Sequence, residues 1–381
     1  MVSAGRACLP PASSPPTTPL LPDATLFRFS LVTFAVSFVM FMGVSGTFLS
    51  LNVASSIVAG LVAVGGSTFV ALSLTGRDWR SSTGLSVFRA GDVAMAVVLG
   101  AANALSLSDW LGRLSSMLFP QFILELFDTG RLLANSMTNR LEQVAVLVAV
   151  VVLAPVAEEL LFRGVLLRGL KERLGIVASA VISGFVFSAY HLDPVGFLPR
   201  FEIGIVLALL AWKSGSLWPA IAFHAANNAL AMTLMEAGIQ DADVPWWVGV
   251  VSLVVLFGST AWFWIRSTRA PPALVQNAPV SFSRAVGPWV VPLVASAVLL
   301  ATFDARGGEL TRIDFAAPLI GKGDEAEEAA LLRLRAQARR GDASCEDYGQ
   351  RRRALSRERI EALLEQWRPR ALSTPRDGGL P

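Results

Sequence analysis

"QVAVLVAVVVLAPVAEELLFRGVLLRGL", residues 143–170, decides what kind of protein this is. From Gln143 to Ala157 the stretch carries no charge, and then Glu158, Glu159 and Arg163 follow in quick succession. The apolar run reads as a helix entering a membrane. A charged side chain at the middle of such a helix costs about 2.5–3.5 kcal/mol on insertion scales, so three of them must pair or serve a function.

Composition agrees with a membrane setting. The chain has 381 residues, 53% of them hydrophobic and 16% charged, and a mean hydropathy of +0.55. Ordinary soluble domains carry about 25% charged residues. The formal net charge of +3 is too small to point to nucleic acid. The pI near 9.2 reflects arginines gathered on one membrane face. Cys8 and Cys345 lie in polar terminal regions and form neither a disulfide framework nor a CxxC metal site.

Working outward, the chain divides into five segments. Residues 1–25, rich in Pro with Ser and Thr, read as a disordered lead-in rather than a cleaved leader. Residues 26–140 hold the first transmembrane helices: Phe29 to Gly76 has no charged residue and suits two spans turning near Asn52, and Val93–Ser108 is a third. Trp110–Arg140 is amphipathic and reads as surface-lying or re-entrant. Residues 141–238 form a polar-motif core of four spans: Gln143 to about Leu170, Leu174–His191, a short one at Phe201–Trp212, and Ser216–Met235. Residues 239–303 add Val244–Ile265 and Ala285–Phe303. Residues 304–381 are a charged, soluble tail in which "DEAEEAALLRLRAQARR" and "SRERIEALLEQW" have helical spacing. The expected fold is therefore all-α, a polytopic bundle of eight or nine spans with a helical tail. Arg77, Arg80, Arg89, then Arg168, Lys171, Arg173, then Arg266, Arg269 and Arg284 fall on one side in a nine-span count, with the amino terminus. The acidic "MEAGIQDADVP" and the tail fall on the other.

Spacing separates the roles of the charges. Glu159 and Arg163, four apart, share a helix face and can pair. Glu158 is turned about 100° from Glu159 and points elsewhere. The chain has two histidines, His191 and His224, both at ends of apolar runs. Phe187 precedes His191 by four in "FSAYH", and Asn228 follows His224 by four in "HAANN". The turn between the fourth and fifth spans falls near Leu174-Gly175, which gives Glu158 and His191 similar depth on antiparallel helices. A carboxylate can act as general base on water while a histidine orients that water or passes a proton. A second histidine and an asparagine amide can donate hydrogen bonds to a developing oxyanion. No GxSxG or nearby cysteine offers a nucleophile. Two His and a Glu could ligate zinc, but HExxH is absent.

"EELLFRG", "FSAYH" and "GSLWPAIAFHAANN", in this order, resemble the EExxxR, FxxxH and HxxxN motifs of the CAAX-protease and bacteriocin-processing (CPBP, or Abi) family of intramembrane glutamic endopeptidases. The resemblance covers roughly Val144–Leu234. It implies that Glu158 and His191 activate the water, that His224 and Asn228 form the oxyanion site, and that Glu159 with Arg163 and Phe187 supports them. It also implies an endopeptidase acting near the C-terminus of a membrane-associated or lipidated protein or peptide, without a cofactor, zinc being the lesser alternative. The expected partners are membrane lipid and that peptide or lipidated protein, with no nucleic acid. The expected location is a bacterial inner (plasma) membrane. The competing reading is a non-catalytic immunity or scaffold protein using the same polar set to bind a partner. A transporter is disfavoured by the lack of an internal repeat. Glu202, where an apolar residue is expected, reads as a local variation or an extra polar wall of the cavity.

Overall fold

With no water in the bilayer core, backbone groups must be satisfied within the chain, which leaves helices as the economical solution for such apolar segments. The computed structural model describes residues 23–49, 53–74, 83–127, 140–237, 244–267, 305–320 and 323–367, with residues 80 and 239. Every regular element among these residues is helical. Most of the lead-in, the expected span Ala285–Phe303 and residues 128–139 lie outside the described residues.

Helices α1 (Asp23–Leu49) and α2 (Val53–Leu74) form the first hairpin. Its turn is tied by reciprocal bonds: Ser45 Oγ donates to the Ser56 carbonyl (3.2 Å) and Ser56 Oγ to the Ser45 carbonyl (2.9 Å). Next come α3 (Ala90–Ala104) and the amphipathic α4 (Leu107–Leu118) and α5 (Gln121–Leu126). The segment that opened the sequence reading is α6 (Arg140–Val148), a π-helical stretch Ala149–Leu153, α7 (Ala154–Glu159), a second π-helical stretch Leu160–Leu166, and α8 (Leu167–Tyr190). Then follow α9 (Phe197–Ser214), α10 (Trp218–Glu236) and α11 (Trp246–Arg266).

Gly175 breaks α8 with φ 71° and ψ 177°, a left-handed φ that glycine tolerates. The chain folds back there. Phe162 and Phe187 would stand about 37 Å apart on a straight helix, yet their ring centroids are 5.1 Å apart. Phe34, Phe38 and Tyr190 join them in one aromatic cluster.

By length and composition, five helical stretches among the described residues could cross a membrane: Phe27–Gly46, Val53–Ser73, Ala90–Leu118, Arg140–Tyr190 and Trp246–Arg266. Their outward faces expose Val32, Val36, Val39, Val177, Phe185, Val254 and Phe257, a surface suited to lipid and not to water. Helices α9 and α10 are not among the five. Arg200, Glu202 and Lys213 interrupt the first, while His224, Asn227 and Asn228 interrupt the second.

Helices α8 and α9 touch backbone to backbone. A Cβ at Gly204 would meet Gly184 Cα at 2.6 Å and the Gly184 carbonyl oxygen at 3.1 Å. Small residues at such crossings let membrane helices approach closely. The Gly204 carbonyl also accepts a bond from Arg163 Nη2 (2.9 Å), so this crossing sets the position of the buried cation. Gly204→Ala should force the helices apart, at the roughly 1–3 kcal/mol typical of overpacking. A lower melting temperature for the detergent-purified variant is expected; an unchanged one would show that the crossing relaxes freely.

Among its described residues the tail has three helices: α12 (Ala305–Ala316), α13 (Glu325–Arg340) and α14 (Cys345–Trp367). The last two are the helices expected from spacing, and α12 joins them around Leu310, Leu331, Ala338, Tyr348 and Leu355. Asp314 anchors this small core, accepting from Arg335 Nε (2.9 Å) and from the Tyr348 hydroxyl (2.5 Å). Burial, with the Asp314 carboxylate beside it, pushes the Tyr348 phenol upward. Arg339 Nη2 reaches Glu142 Oε1 at 3.6 Å, so the tail lies against the start of α6.

Candidate active site

The π-helical stretches on either side of α7 widen the helix just where the carboxylates sit. Such bulges free backbone groups and frequently occur at functional sites. Here the Val150 carbonyl, in the first stretch, accepts a bond from Asn228 Nδ2 (2.9 Å). That bond fastens α10 to the segment carrying the glutamates.

Glu159 and Arg163 are fully buried and joined by a 2.7 Å bond from Arg163 Nη1 to Glu159 Oε1. The same Glu159 oxygen accepts from His224 Nδ1 at 3.1 Å. A carboxylate only accepts, so His224 Nδ1 carries the proton in this bond. Arg163 Cζ stands 4.7 Å from the Phe187 ring centroid, a cation–π contact. Phe187 also meets the rings of His191 (5.1 Å) and His224 (5.8 Å) edge-on. One aromatic ring thus touches the ion pair's cation and both imidazoles, while His224 also bonds the pair directly.

Glu158 faces away from that pair, into a cavity of about 560 Å³. Phe187, His191, His224 and Asn228 line the same cavity; Glu159 and Arg163 are not among its lining residues. Glu158 Oε2 is buried without a hydrogen-bond partner among the described residues. Its contact with His224 Nε2 is long, 3.9 Å. His191 Nδ1 lies 2.9 Å from the Phe187 carbonyl oxygen. A carbonyl only accepts, so Nδ1 is the donor and the Nε2 of the neutral ring keeps its lone pair. The cavity therefore holds an unpartnered carboxylate oxygen, an imidazole with a free acceptor nitrogen, and an asparagine amide with one N–H still unspent.

Sequence spacing missed several neighbours. Arg200 lines the cavity, with Nη2 bonded to Asp193 Oδ2 (2.5 Å) and Nη1 buried and unpartnered among the described residues. Asn227 and Tyr190 also line it, and Asn227 Oδ1 and the Tyr190 hydroxyl have no partner among the described residues. Asn227 and Tyr190 each stand one position from a motif residue, so the motifs themselves carried the signal. Arg200 gave none beyond its charge in an apolar run. Glu202, read as a possible cavity wall, is not among the lining residues; its Oε2 accepts from Asn103 Nδ2 at 3.1 Å across the α3–α9 contact.

These features define a class: a helical membrane protein with a buried polar site between its helices. Within it, residues 140–230 match the family model described as "Type II CAAX prenyl endopeptidase Rce1-like". That stretch contains Glu158, Glu159, Arg163, Phe187, His191, His224 and Asn228, and it is the family that the three motifs resemble. The rest of the chain lies outside the match. No curated protein and no solved structure matches the chain.

Proposed function

We propose that the protein is an intramembrane endopeptidase that hydrolyses a peptide bond near the C-terminus of a membrane-associated or lipidated protein or peptide. The observation that carries this reading is Glu158 Oε2, buried, unpartnered and turned into a cavity that His191, His224 and Asn228 share. In the proposed reaction a water bound between Glu158 and His191 Nε2 gives its proton to the Glu158 carboxylate. The water oxygen bonds to the substrate carbonyl carbon, and the resulting oxyanion accepts hydrogen bonds from Asn228 Nδ2 and His224. Donation from His224 Nε2 requires the imidazolium, since Nδ1–H already serves Glu159. The C–N bond then breaks and Glu158 returns the proton to the departing amine.

Arg140–Tyr190 counts as two crossings, because it folds back at Gly175. Together with α9, α10 and the sequence-expected Ala285–Phe303, this gives nine spans, eight without the last, which we assign to a bacterial inner (plasma) membrane. The reaction is assigned no metal. Among the described residues no three His, Cys, Asp or Glu side chains converge as a metal site. Protein purified in detergent should cleave a C-terminally prenylated peptide, and a strong chelator should leave the rate unchanged. Zinc near one equivalent, lost together with activity in His191→Ala, would overturn the metal-free assignment. Undiminished cleavage by Glu158→Gln would overturn the glutamate-dependent reaction itself.

A further inference from the structure

The two ends of the helix bundle differ in charge, and the residues lining the cavity lie toward only one of them. One end gathers the start of α1, the loop before α3, the Gly175 turn, the α9–α10 turn and the end of α11. Arg173 Cζ sits 5.9 Å from the Phe27 ring. Ser216 Oγ donates to the Val87 carbonyl (2.5 Å), and Trp218 Nε1 to the Leu85 carbonyl (2.9 Å). Ser267 Oγ donates to Asp92 Oδ2 (3.0 Å), closing the set. This end carries Arg28, Arg80, Arg89, Arg168, Lys171, Arg173, Lys213 and Arg266.

The other end gathers the α1–α2 turn, α4, the start of α6, the loop after His191 and the end of α10. The Ser45–Ser56 bonds belong here, as does Ser115 Oγ donating to the Val195 carbonyl (2.5 Å). Ala54, Val146 and Met232 pack together at the same level. Outside the tail, its described cations are Arg113, Arg140 and Arg200, set among Asp109, Glu142, Asp193 and Glu236. The tail joins this end through Arg339 and Glu142. Lys and Arg count toward orientation within about 15–20 residues of the span ends, whereas the rest of a long polar domain crosses largely regardless of charge. Of the tail, Arg306 and Arg312 enter, giving this end five described cations against eight at the other.

The cavity runs from mid-depth, at Glu158 and His224, toward the poorly basic end, where most of its lining residues lie. Ser45 is near the end of α1 and Ser56 near the start of α2; Ser108 is at the start of α4; Val150 precedes Glu158; Gly196 precedes α9 and Arg200 is in its first turn; His224, Asn227 and Asn228 lie around the middle of α10. No residue of the basic loops lines it.

We propose that the cavity is entered from the non-cytoplasmic face. Its substrate, on the endopeptidase reading above, is a membrane-anchored segment whose C-terminal end is presented at the outer surface. Phe41, Met42, Ile57 and Leu61 on the wall suit an apolar segment, while Arg200 and Glu158 supply the polar contacts.

Orientation can be read without any turnover. In a Cys8→Ser, Cys345→Ser background expressed in bacteria, Leu192→Cys and Glu236→Cys report the cavity end, and Ser86→Cys and Glu172→Cys the basic end. A membrane-impermeant maleimide added to spheroplasts should label the first two fully. The second two should label only in inverted vesicles, and two positions per face guard against one variant that does not fold. Labelling of Ser86→Cys or Glu172→Cys in spheroplasts, with Leu192→Cys and Glu236→Cys protected, overturns the inference, as does equal labelling of both sets. The endopeptidase reading is tested separately by the Glu158→Gln turnover, so a failure of one is not mistaken for a failure of the other.

Discussion

Glu158→Gln should insert and melt like the unaltered chain and yet hydrolyse peptide more slowly by roughly 10²–10⁴-fold, the usual worth of general-base assistance. The amide has almost the shape of the carboxylate, so the 560 Å³ cavity keeps its volume. Little stabilisation is at risk, because Glu158 Oε2 makes no hydrogen bond among the described residues and its His224 contact is long. Replacing a carboxylate by a neutral group at membrane depth also removes a desolvation cost. What disappears is the ability to take a proton from water. Single-turnover cleavage of a prenylated peptide, measured beside a thermal melt, separates the two quantities. Full turnover would remove Glu158 from the base's role, and an early melt would make it structural.

Much of this site could be read from the sequence, and the reason is local. Glu159 and Arg163 pair because four residues return a helix to the same face, and the structure has that bond at 2.7 Å. The position of Gly175 was legible because a glycine amid polar residues separates two apolar runs, and its φ of 71° marks the break. What spacing could not supply was contact between helices. The bond from His224 to Glu159 joins residues 65 positions apart, and the packing of α10 on α7 decides it, not any periodicity within either helix. Arg200 enters the cavity for a similar reason: the loop after His191 folds so that Asp193 holds its guanidinium. The π-helical stretches were invisible because an extra residue per turn changes no residue's polarity. Helix α12 was missed because Ala305–Ala316 has two glycines and little apolar periodicity, and its Leu310 is buried only once α13 and α14 are in place. Glu202 was read as cavity wall or variation because its partner, Asn103, lies on a helix far back in the sequence.

Glu159→Gln should fail in the opposite way, by losing the fold before losing the chemistry. Its carboxylate holds two helices at once, through Arg163 Nη1 at 2.7 Å and His224 Nδ1 at 3.1 Å, in a place where both members of the ion pair are shut off from solvent. Glutamine can keep one acceptor oxygen where both donors meet, its amide nitrogen taking the place of the unbonded Oε2, but it has no charge. The Arg163 cation would then have the neutral amide oxygen, the Gly204 carbonyl at 2.9 Å and the faces of Phe187 and Phe162 in place of its paired carboxylate. Stranding one charge of a buried pair costs about 3–5 kcal/mol, so a lower yield and melting temperature are expected, with activity falling alongside. His224 would also have a neutral acceptor in place of the carboxylate that orients its ring, so the folded fraction should turn over more slowly. A double variant, Glu159→Gln with Arg163→Met, removes the stranded cation and should recover part of the melting temperature, though not the activity. If Glu159→Gln stays stable and merely inactive while Glu158→Gln melts early, the two glutamates have each other's roles: the ion pair would be chemical, and the unpartnered carboxylate structural.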